Sequence, residues 1–319
     1  MAAAARWKLL TALWTVYLVW GSTYLAIKLS VETLPAFLSA GARFLLAGTL
    51  LALILTLRGH SLRVTRRELA SSALLGLSLL ALGVGMVTIA ETRIDSSVAA
   101  MIAGSVPLQV ILLRTLARDR VALATRLSVL VGLAGLALVV IPGGEGASSA
   151  IGLAMALAAS ISWSLGSFFA HRLALPKDGF VAASWEMLSA GAFLVVLGVV
   201  TGEPWSMDAA GFTLQSIAAW LYLAIFGSLI GFTAYAWLLR HAPISKVVTH
   251  QYVNPVVAIA LGALVLDEQL TLAIAAGAAL IVGSVFVAVR SENAAAAAAA
   301  TRRSPGTADV RGTPADRTV

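Results

Sequence analysis

The sequence predicts an all-α integral membrane protein, with ten transmembrane helices built as two inverted five-helix repeats. Three observations carry this. Apolar residues make up 60% of the 319 and charged residues 12%, with a mean hydropathy of +0.93, whereas soluble domains carry about 25% charge. The apolar residues fall into ten runs, each close to the length that crosses a bilayer. Landmarks of the first half recur in the second.

The runs lie near 9–28, 36–57, 69–91, 96–116, 127–141, 150–170, 180–201, 215–239, 244–266 and 272–289. About 20 residues in a helix span the roughly 30 Å of hydrocarbon. Without water to bond the backbone, such segments must close their own hydrogen bonds as helices. The fifth run is the shortest. The first follows Arg6 and Lys8, as a signal peptide would. It carries Trp14, Tyr17, Trp20 and Tyr24 and has no clear small-residue cleavage site, so it reads as a retained helix.

Basic residues set the orientation. With the N-terminus inside, 19 of the 22 Lys and Arg residues lie in cytoplasmic segments, among them Arg63, Arg66, Arg67, Arg114, Arg118, Lys177 and Arg290. The outer ends hold Lys28 and Arg93, and Arg43 lies within the second helix. The outer loops "PGGEGASS" and "GEPWSMD" carry no basic residue. This asymmetry places both termini in the cytoplasm. It also accounts for the net charge of +7 without nucleic acid. From 291 to 319 the composition reads as a disordered cytoplasmic tail, with an alanine run that could extend the tenth helix.

The repeat divides the chain into 1–141 and 150–290. A shift of 143 residues lays Trp20 on Trp163, Lys28 on His171, Arg43 on Glu186 and Gly48 on Gly191. A shift of 148 lays "SVPLQV" on "VNPVVA", with Pro107 on Pro255. Five helices per half is an odd number, so the second half enters the membrane from the opposite face. Secondary transporters share this logic, with their site near the midplane between the halves.

Longer motifs carry a resemblance. "VWGSTYLAIK", "RFLLAG", "AETRIDSSVAAMIAGSVPL" and "GFTAYAWLLRHAPISKVVTHQYVNPVVAIALGALVLDEQLT" resemble the drug/metabolite transporter superfamily. Within it they resemble the EamA-type exporters and, through Ala90–Glu91 and "YVNPVVA", the YedA-like branch. The resemblance covers nearly all of 9–290. It implies helices 1–4 and 6–9 around a central cavity, helices 5 and 10 at the periphery, and movement of small metabolites or amino acids, often outward. The stretch "RTLARDRVALATR" after helix 4 is longer and more basic than its counterpart "LVLDEQLT".

Charges within the apolar runs are costly, about 2.5–3.5 kcal/mol at a helix centre on insertion scales, and so mark candidate sites. Arg43 and Glu186 are the deepest. Lys28, Arg43 and Glu91 gather at the outer end, and His171, Arg172, Arg240 and Glu186 at the inner end, as two charged gates. The other reading makes them residues that reach to the interface and fix helix height. Trp20, Trp163, Tyr235 and Tyr252 lie on helices the resemblance places around the cavity, where aromatics suit apolar or aromatic substrates; lipid-facing placement is the alternative. His250 either titrates with a coupled proton or serves as a neutral hydrogen-bonding residue. Pro107 and Pro255 bend helices 4 and 9 and free carbonyls toward the cavity. Gly83, Gly85, Gly132, Gly135 and the "GSLIG" of Gly227–Gly231 favour close helix contact.

Enzyme chemistry finds no support. Cysteine is absent and histidine numbers four. There is no HExxH, no GxSxG and no phosphate loop. The expectation is therefore a transporter with no cofactor and no metal, whose partners are a small-molecule substrate and the lipid bilayer. A membrane-embedded enzyme, a channel or a scaffold are the alternatives.

Overall fold

A computed structural model describes residues 2–119, 121–140, 149–242, 247 and 249–303, with the side chains of 2–6, 236, 239, 240 and 295–303 left aside. Every regular element among the described residues is helical. We label the long helices α1 (Ala2–Ser30), α2 (Ala36–Leu57), α3 (Arg66–Ala90), α4 (Ser96–Leu116), α5 (Leu123–Val140), α6 (Ala150–Phe169), α7 (Gly179–Val200), α8 (214–241), α9 (His250–Val265) and α10 (Leu272–Arg303). Among the described residues nine of these are long and apolar enough to cross a membrane, α9 being shorter. The expected start of the ninth run near 244 lies outside the described residues, as does the outer loop at 142–148.

Of the two readings of the tail, its first part follows the second: α10 continues through the alanine run to Arg303. Alanine has the highest helix propensity, and an existing helix extends without a new nucleus. Residues 304–319 lie outside the described set.

The two repeats are legible in the backbone. Gly59 follows α2 at φ +80° and Gly202 follows α7 at φ +88°, 143 residues apart, the same shift that aligns the sequence landmarks. Both are left-handed positions that close a helix most cheaply with glycine. Arg118 after α4 (φ 62°) and Asp267 after α9 (φ 53°) form a second left-handed pair, one residue off the shift of 148 that aligns the prolines. α3 is π-helical over Leu77–Gly85 and α8 over Leu223–Ile230. Hydrophobic periodicity does not reveal these wider turns, which recur at functional positions in many helices.

Packing follows the same symmetry. α1 packs on α8 and α9, while its counterpart α6 packs on α3 and α4. Counterparts also meet face to face, α2 on α7 and α5 on α10. At Gly41 a Cβ would lie 2.9 Å from the carbonyl oxygen of Gly191, and at Gly191 one would lie 2.9 Å from that of Gly41. Only glycine permits this crossing. One buried apolar cluster centres on Met101, Ile102 and Leu108 of α4, and a second on Phe44, Met187 and Leu194 between α2 and α7.

The prolines behave differently from each other. α4 is interrupted at Ser105, and Pro107 stands in the first turn of the segment that follows, where its missing N–H costs little. Pro255 lies inside the continuous helix α9. Its ring seats on α4 at Gly104, where a Cβ would come within 2.6 Å of Pro255 Cγ. The break in one repeat thus receives the proline of the other.

Candidate substrate cavity

α1, α2, α3, α4, α6, α8 and α9 enclose a central cavity. The space open to the centres of water molecules is about 150 Å³, against roughly 10–15 Å³ for one water on such a measure. A small organic molecule fits.

Its walls are mainly aromatic and aliphatic. Trp20 of α1 and Trp163 of α6, counterparts in the repeat, both line it. Each indole rests on a glycine of the helix containing a π-helical stretch. A Cβ at Gly231 would lie 2.4 Å from Trp20 Nε1, and one at Gly83 would lie 2.9 Å from Trp163 Cε3. Trp20 Nε1 donates to the carbonyl of Gly227 at 3.1 Å. Around Trp20 stand Phe232 (5.3 Å between ring centroids), Tyr235 (5.1 Å) and His250 (5.2 Å). Phe232 and His250 line the cavity, whereas Tyr235 supports them from behind.

His250 is buried, and its Nδ1 donates to the carbonyl of Val247 at 2.7 Å, which fixes the ring and leaves Nε2 free of that bond. Asn254 lines the cavity a turn further on; with its amide nitrogen turned toward them, the carbonyls of His250 (3.0 Å) and Tyr17 (3.3 Å) accept from it. Across the cavity, Gln109 Nε2 donates to Ser105 Oγ and Ser160 Oγ, both at 2.9 Å, and Gln109 Oε1 accepts from Ser164 Oγ at 3.0 Å. Ser160 belongs to the lining. Sequence reading missed Phe232, Asn254 and Ser160. Their signal was faint, being polar or aromatic residues one helical turn from a candidate already marked.

The charged candidates separate. Arg43 lines the cavity at 4% exposure, with its Cζ 4.6 Å above the Phe44 ring. No described residue accepts a hydrogen bond from its Nε. Glu91 is fully buried with neither carboxylate oxygen hydrogen-bonded, and it stands too far from Arg43 for an ion pair. Lys28 bridges α1 to the α3–α4 turn, donating to the carbonyls of Glu91 and Ile94, both at 2.8 Å. It does not line the cavity.

Among its described members the inner cluster forms no ion pair. Glu186 is half-buried on α7, outside the cavity lining, and its backbone is pressed against α3: a Cβ at Gly76 would lie 2.3 Å from the Glu186 carbonyl oxygen. It makes no ion pair with a described residue. His171 and Arg172 are exposed and lie against the aromatic rings of α6, with Arg172 Cζ 4.9 Å above Phe168. The Arg240 side chain lies outside the described residues. Tyr252 turns away from the cavity toward Phe286 of α10, at 6.1 Å, and Pro107 is likewise absent from the lining. Helical geometry explains Tyr252: the lining residues of α9 are His250, Gln251, Asn254 and Pro255, an i, i+1, i+4, i+5 stripe, and position 252 falls on the other side of the helix.

At the Lys28 end two carboxylates cap helices of the other repeat. Glu203, after α7, accepts from the N–H groups of Phe37 (2.9 Å) and Leu38 (2.8 Å) at the start of α2. Glu268, after α9, accepts from those of Ser96 (2.7 Å) and Ser97 (3.0 Å) at the start of α4. Free N-terminal amides and the helix dipole favour an anion there. Asp95, next to the second cap, forms no side-chain cap itself. Burial first, and the neighbouring Glu268 second, push its carboxyl above the usual aspartate range.

Comparisons with known proteins agree with this architecture. The EamA-like transporter family matches residues 7–141 and again 150–290. The uncharacterized inner membrane transporter YedA of Escherichia coli K12 is 39% identical over 255 residues, covering 79% of this chain and 80% of that one. The uncharacterized transporter YvbV of Bacillus subtilis 168 is 28% identical over 294 residues, covering 91% and 94%. One solved crystal structure superposes with a TM-score of 0.62 at 23% identity, over 89% of this chain and 97% of the other, which speaks for the fold alone. With two matches that together span nearly the whole membrane region, the chain belongs to the EamA-like transporter family.

Proposed function

We propose that the protein is a secondary transporter that exports small metabolites or amino acids with apolar or aromatic bodies across the inner membrane by alternating access. The observation that supports this best is the cavity itself. It lies between the repeats, takes a tryptophan from the same position in each, and is walled by helices that pack in symmetry-related pairs. Such a site can be exposed to either side by rocking one repeat against the other. The paired π-helical stretches of α3 and α8 border it and supply positions where helices bend with little loss of hydrogen bonding.

Both termini face the cytoplasm in this reading, as the basic residues require. Reporter fusions at Glu203 and Arg63 check it, with periplasmic signal expected at the first and cytoplasmic at the second. A periplasmic signal at Arg63 would reverse the topology.

Reconstitution tests transport. Purified protein in proteoliposomes should give saturable counterflow of a labelled substrate found by comparing metabolites in the medium of overexpressing and null cells. Flux that rises linearly without saturation would point to a channel and end the transporter reading.

A further inference from the structure

We propose that the cavity binds organic anions, with the carboxylate of the substrate held by Arg43 and its apolar body against Trp20 and Trp163. The inference rests on the transporter reading and narrows it to a substrate class.

Arg43 is the starting point. A buried guanidinium without a partner is expensive, because burial removes its water and nothing replaces it. Here the side chain is 4% exposed, its Nε has no acceptor, and its face is stacked on Phe44. The group borders a cavity instead of packing into protein. Its five donors form a rigid fork that matches a carboxylate in two parallel bonds.

The rest of the lining agrees on sign. Among the described residues that line the cavity there is no Asp or Glu, and Arg43 is the one permanent charge. Glu91 is the acidic group whose field reaches Arg43. Lys28 is held at the backbone carbonyls of Glu91 and Ile94. No described carboxylate comes within ion-pair distance of Arg43, so its charge is left for the cavity. An ammonium entering the same space meets no carboxylate and a like charge.

Depth fits a head and a body. Arg43 lies seven residues into α2 from Ala36, roughly 10 Å at 1.5 Å per residue. Trp20 lies ten residues back from the end of α1 at Ser30, roughly 15 Å by the same rise. A carboxylate and an aromatic ring separated by a short chain match that offset.

The test uses size-matched probes on the full-length protein in detergent. 3-Phenylpropionate, indole-3-acetate and hexanoate supply the anion, and 2-phenylethylamine and hexylamine the cation. Binding is read as quenching of intrinsic tryptophan fluorescence, and confirmed by equilibrium dialysis with labelled probe. Wild-type protein should bind at least one aromatic carboxylate saturably, and at least tenfold more tightly than its matched amine. Arg43→Gln should weaken carboxylate binding at least tenfold, and Arg43→Lys should restore part of it. Equal or tighter binding of the amines, no saturable carboxylate binding, or unchanged affinity in Arg43→Gln would overturn the proposal. The comparison of anion with amine in the wild type needs no variant to fold. Counterflow separates the two readings. Carboxylate binding without counterflow would end the transporter reading and keep the anion site. Counterflow of an amine, unaltered by Arg43→Gln, would do the reverse.

Discussion

Arg43 and Glu186 occupy matching positions in the two repeats, yet the molecule treats them differently. Arg43 opens onto the central cavity with no acceptor at its Nε. Glu186 stands outside the lining, on a turn of α7 whose backbone touches Gly76 of α3. Equivalent places in a repeat therefore share backbone geometry without sharing exposure to the site. The reason lies in the partners. α2 presents Arg43 past Phe44 to open space, whereas α3 closes over α7 at a glycine with room only for backbone. Depth in the bilayer marks both residues as costly, and only contact decides what the cost is for.

The largest effect should come from neutralising the two in turn. Arg43→Gln is expected to reduce carboxylate counterflow at least tenfold, while Glu186→Gln stays within twofold at equal protein. An equal loss in Glu186→Gln, with insertion intact, would break the contrast and return Glu186 to the transport path.

A second contrast sets Gly231 against Gly83. Gly231→Ala places a Cβ 2.4 Å from the Trp20 nitrogen, closer than the 2.9 Å between a Cβ at Gly83 and Trp163. Trp20 must move and lose its bond to the Gly227 carbonyl. We expect Gly231→Ala to raise the KM for counterflow severalfold and shift tryptophan emission, and Gly83→Ala to do less of both. The opposite order would show that the Trp163 wall dominates recognition.

The two carboxylate caps should differ less. Hydrogen bonds to charged groups contribute about 1.5–3 kcal/mol each in favourable settings, and less where water competes, as at these half-buried positions. Glu268→Gln and Glu203→Gln should each lower the thermal midpoint in detergent by a few degrees. An unchanged midpoint in both would show that solvent already satisfies these amides. Smallest of all is Tyr252→Phe. With its ring turned to Phe286, transport should remain within twofold, and a larger loss would place the hydroxyl in the cavity.

Much of this was legible in the sequence, because hydrocarbon leaves few choices. Each apolar run near 20 residues had to become a helix, and Trp20, Trp163, Arg43, His250 and Pro255 all line the cavity. The rest depended on details that periodicity does not encode. The π-helical stretches and the break at Ser105 shift the register between sequence and helix face, and Pro107 is not among the lining residues. The inner gate was drawn from depth alone, and among the described residues no ion pair joins its members. Depth follows from counting along a helix, whereas rotation about its axis follows from packing. Glu203 and Glu268 escaped notice because a carboxylate in a loop looks like any solvated charge. A sequence clue was present, since each follows a glycine of the preceding helix, Gly198 and Gly262, on which its carboxylate rests.

Those two caps also carry a thermodynamic consequence. Each joins a loop of one repeat to a helix of the other, so it persists only in conformers where these ends stay together. Every conformer that parts them loses the bonds, and the balance between closed and open forms shifts accordingly. A net advantage of about 1.4 kcal/mol multiplies a population ratio tenfold. In the alternating-access reading proposed above, these two side chains, neither of which lines the cavity, would weight the population toward conformers that keep these ends together, and variation at Glu203 or Glu268 would change that weighting while leaving the cavity unchanged.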